Sequence, residues 1–282
     1  MTQNPQLQLP PSWAEQTAAQ LSSDIYHPLS TLQAKYPDAQ IHESGCDRVM
    51  ILRLPGNNGN PTQSGIWVVF MGTHNLASLI SDFKIKRRPF APWPGAEVHI
   101  GFDDGVQALL PKITSAIHSL DDGHCQLIFT GHSRGATQAE IAAAYCFESW
   151  AGPLIAWILP IAPARPGNAT FRNMYDVRFG RKSYWYHHGA DIVPWQTPWI
   201  LGNRHVGHRI WWPDVMSGGH GPRMVDPPLE GLAANILVLV GRNWRIGIHS
   251  LLGDHHVFTY LDLLNGRHPT TTGHMSKADL SY

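Results

Sequence analysis

The chain has 282 residues in which 21 Lys and Arg are balanced by 21 Asp and Glu, so no net basic field is available to hold nucleic acid. No apolar run approaches the length needed to span a bilayer, and no charge-rich or low-complexity linker divides the sequence, which predicts a single domain over residues 1–282. Three cysteines, Cys46, Cys125 and Cys146, are too few for a disulfide framework, and the polar start Met1-Thr2-Gln3-Asn4-Pro5-Gln6 lacks the basic and apolar stretches of a secretory signal; cytoplasmic residence and leaderless export both fit.

Over residues 12–34, Trp13, Ala18, Leu21, Ile25 and Leu29 recur every three to five positions, predicting helix interrupted near Pro28 within an N-terminal brace, residues 1–45. Residues 48–54 and 66–71 are β-branched apolar runs joined by Pro55-Gly56-Asn57-Asn58-Gly59-Asn60-Pro61, the pattern of a hairpin that delivers the chain to Thr73. Residues 74–92 place Leu76, Leu79, Ile80 and Phe83 at helical spacing, which predicts a short lid with one apolar face. The basic run Lys84, Lys86, Arg87 and Arg88 beside it reads as a solvated face, with transient contact to an anionic lipid interface as the alternative. Phe102, Val106, Leu109, Leu110, Ile113, Ile117 and Leu120 then mark about five turns of core-facing helix. Strand (125–130), helix (134–150), strand (154–161), short helix near Thr170 and strand (183–188) follow, an alternation that implies a mainly parallel sheet with helices on both faces. The last helix, 248–264, is broken at Gly253-Asp254.

The chemistry is concentrated at the junction of the first strand and helix of this series, 125–130 and 134–150. Gly131-His132-Ser133-Arg134-Gly135 has the form of a nucleophile elbow, in which a tight turn lifts the serine hydroxyl clear of the backbone and the flanking glycines avoid clashes that a Cβ would cause. A serine hydroxyl is a weak nucleophile near neutral pH and needs a histidine base, which in turn needs a carboxylate to fix its tautomer. Asp191, just past the strand 183–188, stands where an α/β sheet presents groups at its C-terminal edge; a turn cap before Pro194 is the bland reading. His255 and His256 follow, giving the order Ser, Asp, His, and only one of two adjacent histidines can reach Ser133. Backbone N–H groups of Thr73 and Arg134 are the candidate oxyanion donors, against an ordinary turn after a strand for Thr73. Among the histidines, His205 with His208 and His187 with His188 invite a zinc reading, but no Cys or carboxylate stands at a recognised spacing, so no metal is expected. Of the eleven tryptophans, Trp195 alone is weighed as a pocket residue, with core packing as the alternative.

These motifs resemble those of the class 3 (fungal-type) lipases, a family of the α/β-hydrolase fold, over residues 49–264. Val68-Val69-Phe70-Met71-Gly72-Thr73 is similar to the family's strand and oxyanion turn, and Val98-His99-Ile100-Gly101-Phe102 to the segment that opens the helix before the elbow. Ala164-Arg165-Pro166-Gly167-Asn168 with Phe171, Asp191-Ile192-Val193-Pro194 and Arg204-His205-Val206-Gly207 match further family motifs, and His255 precedes Tyr260-Leu261 at the family's spacing, which favours it over His256. Arg134 in place of an apolar residue, Met71 in place of Arg and Ala164 in place of Pro depart from the pattern. The resemblance implies a serine ester hydrolase acting on acylglycerol or other lipid esters through an acyl-enzyme, needing no cofactor. Ser133 would be nucleophile, His255 base and Asp191 the orienting acid, with Thr73 and Arg134 at the oxyanion and Leu76, Leu79, Ile80, His132 and Trp195 against substrate. Phospholipase A1 or galactolipase activity with the same triad, and a non-catalytic binding protein on the same fold, remain as alternatives.

Overall fold

The computed structural model describes residues 9–55, 64–73, 86–123, 125–189, 191, 193–195, 197, 201–212, 223–225 and 255–266. In chain order the elements are α1 (Ser12–Asp24), α2 (Leu29–Lys35), β1 (Gln40–Ser44), β2 (Asp47–Leu54), β3 (Gly65–Phe70), β4 (Arg87–Pro89), β5 (Glu97–His99), α3 (Ile100–Leu120), β6 (Gln126–His132) and α4 (Arg134–Cys146). They continue with β7 (Ile155–Ile161), β8 (Gly167–Asn168), α5 (Ala169–Phe179), β9 (Tyr184–His188), β10 (Asn203–Arg204), β11 (His208–Trp212), β12 (Arg223–Val225) and α6 (Val257–Leu264). Eight strands form the main sheet in the order β1-β2-β3-β6-β7-β9-β11-β12. Its centre, β3 through β11, is parallel, whereas β1, β2 and β12 pair antiparallel at the edges.

The period-two alternation of side chains divides each strand between two cores. Val49, Ile51, Ile66, Val68, Phe70, Leu127 and Phe129 pack on one face with Phe102, Val106, Leu109, Ile113 and Ile117 of α3, the alanines of α4 and Phe171 of α5. Met50, Leu52, Trp67, Val69, Ile128, Leu159 and Ile161 pack on the other with Ala14, Ala18, Ala19 and Leu21 of α1 and Tyr260 of α6. Fully burying each such aliphatic side chain contributes roughly 1.5–3 kcal/mol, which is why α1, weakly amphipathic through small alanines, can lie close against the sheet.

The structure adds elements that the sequence pattern did not announce and trims one that it did. A second, four-stranded sheet runs β10-β8-β5-β4 from strands of two or three residues, too short to show a period. β4 lies inside the segment read as a lid, and Phe90 and Trp93 just after it are core residues, so residues 86–92 belong to the body of the fold. Leu76, Leu79, Ile80 and Phe83 lie outside the described residues, as does the helix segment before residue 255. Of the basic run, Lys84 lies outside the described residues, and Arg87 and Arg88 have partners of their own. Arg87 donates to Glu97, Asn203 and the Leu201 carbonyl, and Arg88 pairs with Asp103 and Asp104, which uses both as fasteners between the small sheet, the 201–204 turn and α3.

On α4, Glu140 is fully buried and neither carboxylate oxygen has a hydrogen-bond partner among the described residues. Burial, reinforced by the nearby Asp176 charge, pushes its carboxyl well above the ordinary range. A carboxyl raised in the folded state takes up a proton on folding, so its stability contribution is intact below the unfolded value and declines as pH rises towards the folded one. In thermal unfolding followed across pH, Glu140→Gln is therefore expected to gain in Tm over the parent increasingly as pH climbs from 4 to 8; a pH-independent difference would remove this assignment.

Candidate active site

β6 ends at His132, and Ser133 caps α4 with φ 59° and ψ −126°, a conformation that side chains other than glycine rarely adopt and that costs on the order of 1–3 kcal/mol. It is held there from both sides. The Ser133 N–H donates to the Ile161 carbonyl at 2.9 Å, and its own carbonyl accepts from Ala136 at 3.0 Å. The two elbow glycines have no room for a side chain: a Cβ at Gly131 would meet the Gly135 carbonyl at 2.6 Å, and one at Gly135 the Phe70 carbonyl at 2.4 Å. A Cβ at Gly72 would meet the His132 carbonyl at 2.6 Å and Ser133 Cβ at 3.2 Å. The end of β3 and the turn bearing Thr73 thus lie directly on the elbow. Ser133 Oγ is buried and makes no hydrogen bond among the described residues.

Asp191, fully buried beyond β9, is surrounded by donors. His255 Nδ1 lies 2.9 Å from each carboxylate oxygen, the Val193 N–H donates to Oδ1 at 2.9 Å and the Tyr260 hydroxyl donates to Oδ2 at 2.6 Å. Tyr260 in turn accepts from the His188 N–H at 2.9 Å, locking α6 to the end of β9. Burial pushes the Asp191 carboxyl up, but the charge and hydrogen bond of His255, then His187 and the Tyr260 hydroxyl, outweigh it and bring it below its ordinary value. With Nδ1 given to Asp191, Nε2 is the nitrogen of His255 left for proton transfer. The neighbouring His256 instead caps α6 and stacks on Phe258, so the acid selects His255 of the two.

His132 is put to a different use from the one expected of a substrate contact. Its ring is 5% exposed and stacks on the His255 ring at 4.5 Å, and both of its nitrogens are engaged by the protein. Burial, aided by the nearby His255, holds its pKa well below the usual histidine value, so the ring is neutral. Nε2–H must then donate to the His255 carbonyl at 2.8 Å, leaving Nδ1 to accept from the Tyr26 hydroxyl at 2.9 Å. Tyr26, just beyond α1, also hydrogen-bonds the Gly72 backbone. Tyr26 of the N-terminal brace therefore joins the Gly72-Thr73 turn to the elbow, and His132 carries the link on to the loop of His255. Nothing in the spacing of residues 12–34 signalled this role for Tyr26.

Trp195 occupies a short helical turn after Asp191, edge-on to the buried His187 at 5.5 Å and with the Arg165 guanidinium over its ring at 5.8 Å. The histidine pairs weighed as zinc ligands are not assembled as such: His205 Nε2 donates to the Pro194 carbonyl at 2.7 Å, while the His208 ring lies against Tyr184. Among the described residues the one cluster of three metal-capable side chains is Asp121, Asp122 and Cys125, where Asp122 already pairs with Arg53.

Comparison with known proteins places this geometry. The model of the class 3 lipase family matches residues 67–200, which contain the turn bearing Thr73, the elbow and Asp191. A lipase of Rhizopus niveus is 31% identical over 156 residues, covering 53% of this chain and 39% of its own length. A secreted mono- and diacylglycerol lipase of Fusarium solani is 28% identical over 149 residues, covering 52% and 43%. This chain thus spans less than half the length of these two relatives. Among solved structures, a triacylglycerol lipase described as having a serine-protease triad at its catalytic centre superposes with a TM-score of 0.64 at 18% identity, covering 89% of this chain and 96% of that one. The fold is that of the α/β-hydrolases. Over residues 67–200 the chain is similar to the class 3 lipase family.

The Tyr260 hydroxyl serves Asp191 and the His188 N–H at once, and removing it leaves both buried groups short of a partner. Tyr260→Phe should lower stability in urea unfolding by about 1–3 kcal/mol. An unchanged midpoint would mean that water or another donor replaces the hydroxyl.

Proposed function

We propose that this protein is a serine carboxylic-ester hydrolase acting on lipid esters. The observation that carries this reading is the buried Asp191–His255 pair, whose base ring stacks against the residue adjoining a serine held at positive φ. In this reading Ser133 Oγ attacks the ester carbonyl while His255 Nε2 takes its proton, and Asp191 holds the imidazole and stabilises its charged form. Backbone N–H groups of Thr73 and Arg134 receive the oxyanion, each such donor supplying about 3–4 kcal/mol of transition-state stabilisation. The imidazolium then protonates the departing alcohol, and water repeats the sequence on the acyl-enzyme. The close seating of Gly72 on Ser133 supports Thr73 in this role, and the position of Arg134 at the first turn of α4 supports the second donor.

The relatives named above as lipases favour acylglycerols as the substrate class, and the half-buried Trp195 beyond the acid is suited to line an acyl groove. The Arg134 side chain, which departs from the family pattern beside Ser133, is engaged in an ion pair with Asp47. Hydrolysis of p-nitrophenyl esters from acetate to palmitate, by the parent and by Ser133→Ala, tests the proposal. The parent is expected to turn over with an optimum at longer chains, and Ser133→Ala to lose at least about 10³-fold in kcat. Absence of serine-dependent turnover at every chain length would favour the binding-protein reading, and an optimum at acetate would favour a small-ester esterase.

A further inference from the structure

Arg134 stands immediately after the nucleophile, at a position the family fills with an apolar residue, and its side chain is built into the protein with care. Nε and Nη2 form a two-pronged contact with Asp47, at 2.9 Å to Oδ1 and 3.0 Å to Oδ2. Gln138, one turn further along α4, donates to the same Oδ1 at 2.8 Å. Asp47 opens β2 and is 7% exposed, so its carboxylate is matched to these donors away from bulk water. Gly105 makes room for the cluster. A Cβ there would meet Asp47 Oδ2 at 2.3 Å and Gln138 Nε2 at 2.4 Å, although a glycine inside a helix costs about 1 kcal/mol relative to alanine.

The next residue faces the other half of the proposed oxyanion site. The Arg48 carbonyl accepts from the Met71 N–H at 2.9 Å, two residues before Thr73. The Arg48 side chain donates to the Ile25 carbonyl at 3.1 Å and the His27 carbonyl at 2.8 Å, on either side of Tyr26. The dipeptide Asp47-Arg48 therefore grips the first turn of α4 with one residue and the oxyanion turn with the other. An ion pair this buried is weak evidence for stability, since apolar residues pack as well, but a planar guanidinium on a carboxylate restricts orientation tightly.

We infer that Asp47 is a positioning residue for the oxyanion site, setting through Arg134 and Gln138 the placement of the Arg134 N–H relative to the turn that carries Thr73. The inference rests on the hydrolase reading. A donor displaced by a few tenths of an ångström weakens the transition state and leaves ground-state ester binding untouched, so the effect belongs in kcat.

The test compares the parent with Asp47→Asn, Arg134→Lys and the double variant on a soluble p-nitrophenyl ester, with binding of a trifluoromethyl ketone as a probe of the oxyanion site and Tm as a control for folding. Asp47→Asn should lower kcat about 10- to 100-fold with KM within twofold, and ketone affinity should fall in parallel. Arg134→Lys keeps the charge but loses the fork, so a smaller loss of the same kind is expected; it carries the test if Asp47→Asn does not fold. The double variant should be no worse than the weaker single variant, because both changes release the same contact. Unchanged kcat and ketone affinity in a folded variant, losses confined to KM, or losses that simply multiply would overturn the inference alone. A parent without Ser133-dependent turnover would overturn the hydrolase reading and this inference with it.

Discussion

A carboxylate with no access to water must be surrounded by donors, and the requirement that Asp191 be so surrounded organises the C-terminal half of the site. Its partners come from three places in the chain: Val193 from its own turn, His255 from the residue before the α6 cap, and Tyr260 from the first turn of α6. Were α6 to move away, the Asp191 charge would be left buried and unpaired, a penalty of several kcal/mol that the fold avoids by keeping the helix docked. The same contacts fix the His255 tautomer, so one electrostatic constraint both secures an element and prepares its histidine.

Steric crowding organises the other half. Parallel pairing of β3 with β6 brings Phe70 alongside Gly131, and the missing side chains of Gly72, Gly131 and Gly135 let two turns approach to backbone contact. Ser133 is strained because its neighbours over-determine it, with hydrogen bonds before and after and the oxyanion turn against it. The N-terminal brace completes the arrangement. Tyr26 meets the His132 ring and the Gly72 backbone, and at the antiparallel edge of the sheet the Arg48 carbonyl accepts from the Met71 N–H while the Asp47 carboxylate accepts from the Arg134 side chain.

Much of this was legible in the sequence, for physical reasons that differ by element. The elbow showed itself because its glycines are demanded by sterics, and α3 because its apolar face is five turns long and therefore strongly periodic. The order Ser133, Asp191, His255 could be read from the succession of strands and helices, and the spacing to Tyr260-Leu261 already favoured His255 over His256; the structure adds that the His255 ring is the one that meets the carboxylate. The small sheet was invisible because two- and three-residue strands carry no period. Arg87, Arg88 and Arg134 hid their roles for a common reason: a charged side chain declares its charge in the sequence and not its partners, which for Arg87 include Asn203, more than a hundred residues away, beside the nearer Glu97, and for Arg134 lie 87 positions away at Asp47. His132 likewise looked available to substrate, since its two internal partners, residues 26 and 255, lie at opposite ends of the chain.

That last pairing has a consequence for how the protein comes into being. His132 joins Tyr26, 106 positions earlier, to the His255 backbone, 123 positions later, so two long loops must close before the link exists. Contacts of such separation form late, after local helices and the central strands have met. A chain emerging from the ribosome would carry the strand–turn–helix around Ser133 long before the His255 segment existed to pack against it.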